Sequence, residues 1–305
     1  MPNLHPKGVF SAACTPVRPD LTPDHAALAA HCSTLLSEGC DGVALLGTTG
    51  EANSFSARER MAMLEAVVAD GVAPAKLLPG TGVASFMETV ELTKHALSLG
   101  VQTVVMLPPF YYKNVSDDGL FAAYAAIVER VASSDLRVVL YHIPMFSAVP
   151  LPIPVIARLR EAFPGTFTGL KDSSGDLANM TALVDAFPGF AVLAGADPLM
   201  LPLLRHSGAG CITATSNLIA GDLAFIYHNH TDPAQTNAVD AAQARVVAAR
   251  NSVSVLPQLP SIKALLAKKT GNPAWALVRP PMLTLTPKEQ ASLDTVSLDT
   301  ISLAA

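Results

Sequence analysis

Gly8-Val9-Phe10-Ser11-Ala12-Ala13-Cys14-Thr15-Pro16-Val17-Arg18 decides between two folds. Gly8–Cys14 is a short apolar run of β type. A doubly wound open sheet would follow its first strand with a glycine-rich phosphate loop. Thr15-Pro16-Val17-Arg18 follows instead, which points away from that fold. Outward from this stretch the same phrase recurs. Runs of β type stand at Gly42–Gly47, Lys76–Gly82, Thr103–Pro109, Arg137–Pro144, Thr166–Ser173, Phe190–Asp197 and Gly210–Asn217. Helical stretches separate them, with start signals such as Thr22-Pro23-Asp24 and the capping box Ser56-Ala57-Arg58-Glu59. Counting Gly8–Cys14, eight runs alternate with helices. That number of parallel βα units closes a (β/α)8 TIM barrel, the α/β fold expected here.

After Asn217 the rhythm changes. Ala234–Asn251, Ser261–Lys269 and Pro287–Leu298 are expected to be helices, the last opening with the capping box Thr286-Pro287-Lys288-Glu289. Pro257, Pro260, Pro280 and Pro281 mark the connections. The expected organisation is a barrel over residues 1–230 carrying the active site, with a small C-terminal helical appendage over 231–305 packed on it.

Half of the 305 residues are hydrophobic, 15% are charged, and the net charge is -5. Those values suit a globule with a large core and give no basic patch for nucleic acid. The longest apolar stretches are too short and too proline-broken to cross a membrane. Met1–Gly8 has no hydrophobic signal region, and Cys14, Cys32, Cys40 and Cys211 form no CxxC pair. Neither a metal site nor a disulfide framework is expected, and a reducing cytoplasm is the expected location.

Lys171 carries the chemistry. It lies in Phe167-Thr168-Gly169-Leu170-Lys171-Asp172-Ser173-Ser174-Gly175, at the end of the sixth run. An ammonium buried among apolar residues is costly unless it is paired or neutral. A neutral amine attacks ketones to form a Schiff base. The plainer readings are an exposed lysine on an edge strand and a buried partner of Asp172. In barrels of this type polar groups gather at the carboxyl ends of the strands. There stand Gly47-Thr48-Thr49-Gly50-Glu51, Tyr111-Tyr112, Tyr141, Asp197 and Thr213-Ala214-Thr215-Ser216-Asn217. The glycines around Thr48 and Thr49 let backbone amides approach a ligand, which suits a carboxylate, although a plain capping turn has the same composition. Tyr141 lies in the run next to that of Lys171, within reach as a proton donor and acceptor. Strand alternation turns His142 and Asp172 away from that side. Glu51 is expected to tie down its loop.

Taken together, Gly47-Thr48-Thr49-Gly50-Glu51, Tyr141-His142-Ile143-Pro144 and Gly169-Leu170-Lys171-Asp172-Ser173-Ser174-Gly175-Asp176 resemble the dihydrodipicolinate synthase / N-acetylneuraminate lyase family of pyruvate-dependent class I aldolases. The resemblance covers essentially the whole chain. It implies that Lys171 forms the Schiff base with pyruvate, that Tyr141 relays protons, and that Thr48, Thr49 and Gly50 hold the pyruvate carboxylate. It implies that Tyr112 reaches across a subunit contact to join the relay through Thr48, hence a homotetramer or homodimer. Ser173, Asp197, Thr213 and Phe146 fall at substrate-contacting positions. No metal or organic cofactor is implied, because the protonated imine serves as the electron sink.

Two departures bear on the substrate. The synthases carry an arginine where Phe146 stands, and a phenyl ring cannot make its bidentate contact with a second carboxylate. Sialate lyases carry a glutamate where Pro198 stands beside Asp197. The expectation is an aldolase or lyase that splits a 2-oxo-3-deoxy-4-hydroxy acid into pyruvate and a small aldehyde, or condenses them. A 2-keto-3-deoxy-sugar-acid dehydratase remains open, as does a 4-hydroxy-tetrahydrodipicolinate synthase with Arg18 as a substitute carboxylate partner. A non-catalytic keto-acid binder is disfavoured.

Overall fold

The computed structural model describes residues 5–293. Seven parallel strands form one sheet among the described residues: β1 (Gly8–Ser11), β2 (Gly42–Val43), β3 (Thr103–Met106), β4 (Arg137–His142), β5 (Phe167–Asp172), β6 (Ala191–Ala194) and β7 (Gly210–Thr213). Their spatial order is β2-β1-β7-β6-β5-β4-β3, so successive strands are neighbours except β2 and β3, which stand at the two ends, and β7 returns beside β1. The helices between them are α1 (His25–Ser37), α2 (Ala57–Ala69), α3 (Phe86–Ser98), α4 (Asp117–Val131), α5 (Pro144–Ser147), α6 (Ile153–Ala162), α7 (Leu177–Ala186), α8 (Met200–Arg205) and α9 (Ser216–Asn229). After β7 and α9 come α10 (Thr236–Ser254), α11 (Gln258–Thr270) and α12 (Pro287–Leu293).

The expected third run, Lys76–Gly82, forms no regular strand. Its first residue closes a 3-10 turn over Pro74–Lys76. Proline at position 79 supplies no N–H to a ladder. What remains are two isolated parallel bridges, Leu77 to Val43 and Gly80 to Val105. Hydrogen bonds run from the Leu78 amide to the Val43 carbonyl (2.9 Å) and from the Thr81 amide to the Val105 carbonyl (3.0 Å). This segment therefore lies between β2 and β3, the two ends of the sheet.

Strand alternation splits the core in two. Val9, Val138, Leu140 and Leu170 pack outward against the helices in the large core cluster. Phe10, Val139, Tyr141, Leu193, Ile212 and Leu78 form a second cluster on the other face. That inner face is filled from β1, β4, β6, β7 and the 77–80 segment at once, as the curl of the sheet demands.

The expected helix starts are present with small shifts. Ser56 and Glu59 make the reciprocal box: the Glu59 amide donates to Ser56 Oγ (3.3 Å) and the Ser56 amide to Glu59 Oε2 (2.8 Å). At α1 the cap is Asp24, whose Oδ1 accepts from the Ala27 amide (3.1 Å), so Pro23 precedes the helix instead of opening it. Pro260, expected in a connection, sits inside the first turn of α11, where a missing N–H costs nothing. The expected Pro287–Leu298 helix is seen as α12 to Leu293, and positions 294–298 lie outside the described residues. No helix among the described residues is long and apolar enough to cross a membrane.

Candidate active site

β4 and β5 pair in parallel with Tyr141 opposite Lys171 and His142 opposite Asp172. On a shared face that register puts a phenol beside an amine. Lys171 is 6% exposed, and its Nζ lies over the Tyr141 ring, 4.2 Å from the centroid. The Tyr141 hydroxyl is 3.3 Å from Thr48 Oγ1, which links β4 to the turn after β2. Burial pushes the Tyr141 phenol up. The Lys171 charge and hydrogen bonds with Thr48, Ser173 and Lys171 outweigh it, and hold the phenol below its ordinary value. Thr48, Tyr141 and Lys171 line one inner cleft with Gly47, Asn53 and Leu107. It is tight, ≈ 30 Å³, and shares Thr48 with an outer cavity of ≈ 630 Å³ that Thr49 also lines.

The Thr48-Thr49 turn presents its backbone inward. Among the described residues neither threonine amide donates to a backbone carbonyl; the turn closes instead through Glu51 N to Thr48 O (3.1 Å) and Ala52 N to Gly47 O (3.1 Å). A Cβ on Gly47 would meet nothing within 4 Å, so the chain there faces open space. Gly50 is packed differently: a Cβ would come 3.0 Å from the Leu46 amide nitrogen, and its carbonyl accepts from Thr15 Oγ1 (2.8 Å). Two free amides and two hydroxyls at the mouth of a cleft holding an amine can bind a small carboxylate.

The other residues singled out from sequence occupy different settings. Ser173 is half-buried beside Tyr141, its amide donating to the His142 carbonyl (2.8 Å). Gly195 makes room for it, since a Cβ there would sit 2.0 Å from Ser173 Oγ. Thr213 and Asp197 are fully buried and stand outside both cavities. Neither Asp197 carboxylate oxygen has a protein hydrogen-bond partner, and the Thr213 and Thr215 hydroxyls have none either. Burial raises the Asp197 carboxyl; Thr213, the charge of Arg250 and Thr215 pull against it without cancelling it. Phe146 lines the outer cavity and is 68% exposed. Tyr112 is exposed after β3, edge-on to Tyr111 with ring centroids 5.3 Å apart, and does not meet Thr48 within the single chain. Lys113 pins that segment to the Phe146 loop by donating to the carbonyls of Phe110 and Ser147. Arg18 stays near Asp24 (3.9 Å) and lines neither cavity.

The opposite face of β4 and β5 is structural. His142 Nδ1 accepts from the Leu151 amide (3.2 Å), and burial lowers its imidazole against the opposing pull of Asp172. Asp172 accepts from the Ser174 amide (2.7 Å) and from Asn179 Nδ2 on α7 (2.6 Å), so it faces the helix layer. Glu51, in the left-handed region at φ 56°, accepts from Lys263 Nζ (2.5 Å) and the Arg279 amide (2.8 Å). Lys263 is 0% exposed and also donates to the Thr15 carbonyl (2.8 Å). Sequence reasoning passed over Lys263, although it is the lone charge in Ile262-Lys263-Ala264-Leu265-Leu266 and repeats the signal that singled out Lys171. It also passed over the outer wall, where Leu259, Pro281, Leu283 and Leu285 face Thr48, Thr49 and Phe146.

Comparison with known proteins bears on this arrangement. The model of the Dihydrodipicolinate synthetase family matches residues 5–298. An uncharacterized DapA-like lyase of Chloroflexus aurantiacus is 36% identical over 292 residues, 94% of this chain and 95% of that protein. The crystal structure of dihydrodipicolinate synthase from Agrobacterium tumefaciens superposes with a TM-score of 0.84 at 34% identity, covering 94% of this chain and 97% of that one. The structure of YagE, a prophage protein of E. coli K12 solved in complex with pyruvate, gives a TM-score of 0.87 at 25% identity, covering 95% and 96%.

Proposed function

The chain belongs to the dihydrodipicolinate synthetase family, and from that premise we propose that it is a pyruvate-dependent class I aldolase or lyase. The observation that carries the proposal is the convergence of Lys171, Tyr141 and Thr48 in one cleft at the carboxyl ends of β4, β5 and β2. YagE binds pyruvate in the same fold, which favours pyruvate as the keto acid.

In the proposed reaction Lys171 Nζ attacks C2 of pyruvate. Tyr141 hands a proton to the departing oxygen, which leaves as water, and a C=N bond replaces the C=O bond. The Thr48 and Thr49 amides and hydroxyls hold the carboxylate. Loss of a C3 proton gives an enamine whose carbon attacks an aldehyde carbonyl, and the aldehyde oxygen takes the proton. In the cleavage direction the 4-hydroxyl loses its proton, the C3–C4 bond breaks, and its electron pair flows to the iminium nitrogen. C3 of the resulting enamine takes up that proton, and water then releases pyruvate and restores the amine.

We take the sheet as a (β/α)8 barrel with the 77–80 segment as its remaining stave, supported by the parallel bridges to Val43 and Val105. In this reading the described part of 1–230 is the barrel and the described part of 231–305 the helical region on it. The exposed Tyr111-Tyr112 pair suits a homotetramer or homodimer in which Tyr112 of a neighbouring copy approaches Thr48, and a cytoplasmic enzyme is the accompanying expectation. A synthase reading draws on the Agrobacterium neighbour, but Phe146 leaves a second carboxylate without an arginine. A dehydratase would use the same imine and release water with no aldehyde.

Borohydride reduction with pyruvate, followed by peptide mass spectrometry, tests the proposal. A stable adduct on the Lys171 peptide is expected. A folded protein that traps no pyruvate would remove the aldolase, dehydratase and synthase readings together.

A further inference from the structure

The outer cavity has a chemistry of its own. Thr48 and Thr49 belong to its lining, and its apolar walls are Phe146, Leu259, Ile262, Pro281, Leu283 and Leu285. Its ≈ 630 Å³ falls in the range that binds small molecules, roughly 300–1,000 Å³. Phe146 and Leu283 remain 68% and 81% exposed beside it, so large apolar side chains stand in water around a concave site. Large apolar groups gathered at a concavity mark a surface that gains from covering.

The charge around this cavity is equally informative. Among the described residues its one charged lining side chain is Glu289. The Thr286 amide and Thr286 Oγ1, both 2.8 Å away, hold that carboxyl below its ordinary value, so it is an anion. Among the described residues no lysine or arginine lines the cavity, and three cations of nearby segments are engaged elsewhere. Lys113 is held by the Phe110 and Ser147 carbonyls, and Arg18 lies near Asp24. Arg279 is taken up by Glu59 and by the Leu21 and Ser54 carbonyls. An aldehyde bearing a carboxylate or phosphate would meet an anion and no counter-charge. A polyhydroxylated one would exchange water for a lining that is mostly apolar, in which Thr48, Thr49, Gln258, Thr284 and Thr286 are the uncharged polar side chains.

We infer that the second substrate of this site is an uncharged, apolar aldehyde, aliphatic or aromatic, selected by Phe146 on one wall and Leu283 on the other. The corresponding cleavage substrate is a 2-oxo-4-hydroxy acid with an apolar group on C4. The inference rests on the imine chemistry proposed above and names the substrate class of the same site.

The test is condensation of pyruvate with hexanal, benzaldehyde, glyceraldehyde and succinic semialdehyde by the full-length protein, read as kcat/KM for each, with borohydride trapping run alongside. Hexanal or benzaldehyde is expected to exceed the other two by about ten-fold or more, as apolar pockets discriminate. Phe146→Arg and, independently, Leu283→Lys should each cut that preference and raise succinic semialdehyde at least about ten-fold, as a new cation meets its carboxylate. A trapped pyruvate adduct together with a preference for glyceraldehyde or succinic semialdehyde overturns the inference and leaves the imine chemistry standing. An apolar preference unmoved by either substitution overturns the assignment of these walls. Failure to trap pyruvate overturns the imine chemistry itself, and this inference with it.

Discussion

Tyr141 and Lys171 face each other across β4 and β5, with the lysine Nζ 4.2 Å from the centroid of the tyrosine ring. Within one buried cleft, the phenol is thereby tied to the charge of the neighbouring amine.

Lys171→Ala should lower turnover by on the order of 10⁴–10⁶-fold, the loss typical of a covalent nucleophile. Circular dichroism should stay that of the parent, because Lys171 makes no salt bridge among the described residues. Activity within ten-fold of the parent would defeat the imine mechanism.

Tyr141→Phe should lower kcat by about 10²–10⁴-fold, the usual contribution of a positioned proton donor. The pH profile is the sharper readout. Because the phenol is held below its ordinary value, the parent should lose its proton-donating form on an alkaline limb lying below pH 10. That limb should be missing from the phenylalanine variant. An unchanged limb in Tyr141→Phe would assign it to another group.

Lys263→Met should destabilise the protein by about 3–5 kcal/mol in urea denaturation, since it strands the buried Glu51 carboxylate. Adding Glu51→Gln should recover part of that loss by removing the stranded charge. If the double variant is as weak as the single, the pair acts through packing and not through charge.

Asp197→Asn should change the pH dependence of stability. Burial raises this carboxyl above 3.8 in the folded protein, so the folded state binds a proton that the unfolded chain has released. Stability contributed this way is fully present below pH 3.8 and is lost as pH rises through the folded value. The asparagine variant should show a flatter decline over that window in thermal melts at graded pH. An identical slope in both proteins would mean that Asp197 titrates alike in the folded and unfolded chain.

Much of this arrangement is legible in the chain because consecutive βα units lay neighbouring runs side by side. The adjacency of Tyr141 to Lys171 follows from that rule alone, as does the turning away of His142 and Asp172 by alternation. The rule fails at Lys76–Gly82, where a proline and two glycines leave bridges in place of a strand. It is silent about the outer wall. Leu259, Leu283 and Leu285 line one cavity with Thr48 across more than 200 positions of sequence, and no local period announces a pairing of that range. The Glu51–Lys263 pair spans 212 positions and escapes for the same reason, although a lone lysine among apolar residues was a usable sign.

That pair also determines how the enzyme can change. Glu51 ends the turn that begins at Thr48, and Lys263 belongs to the helix whose first turn carries Leu259. The proposed cradle for the keto acid and the proposed wall for the aldehyde are thus bolted together by a buried ion pair. Around that bolt the wall is an interchangeable faceplate. Drift at Phe146, Leu283 or Leu285 can admit a new aldehyde with the amine, the phenol and the threonine turn left in place.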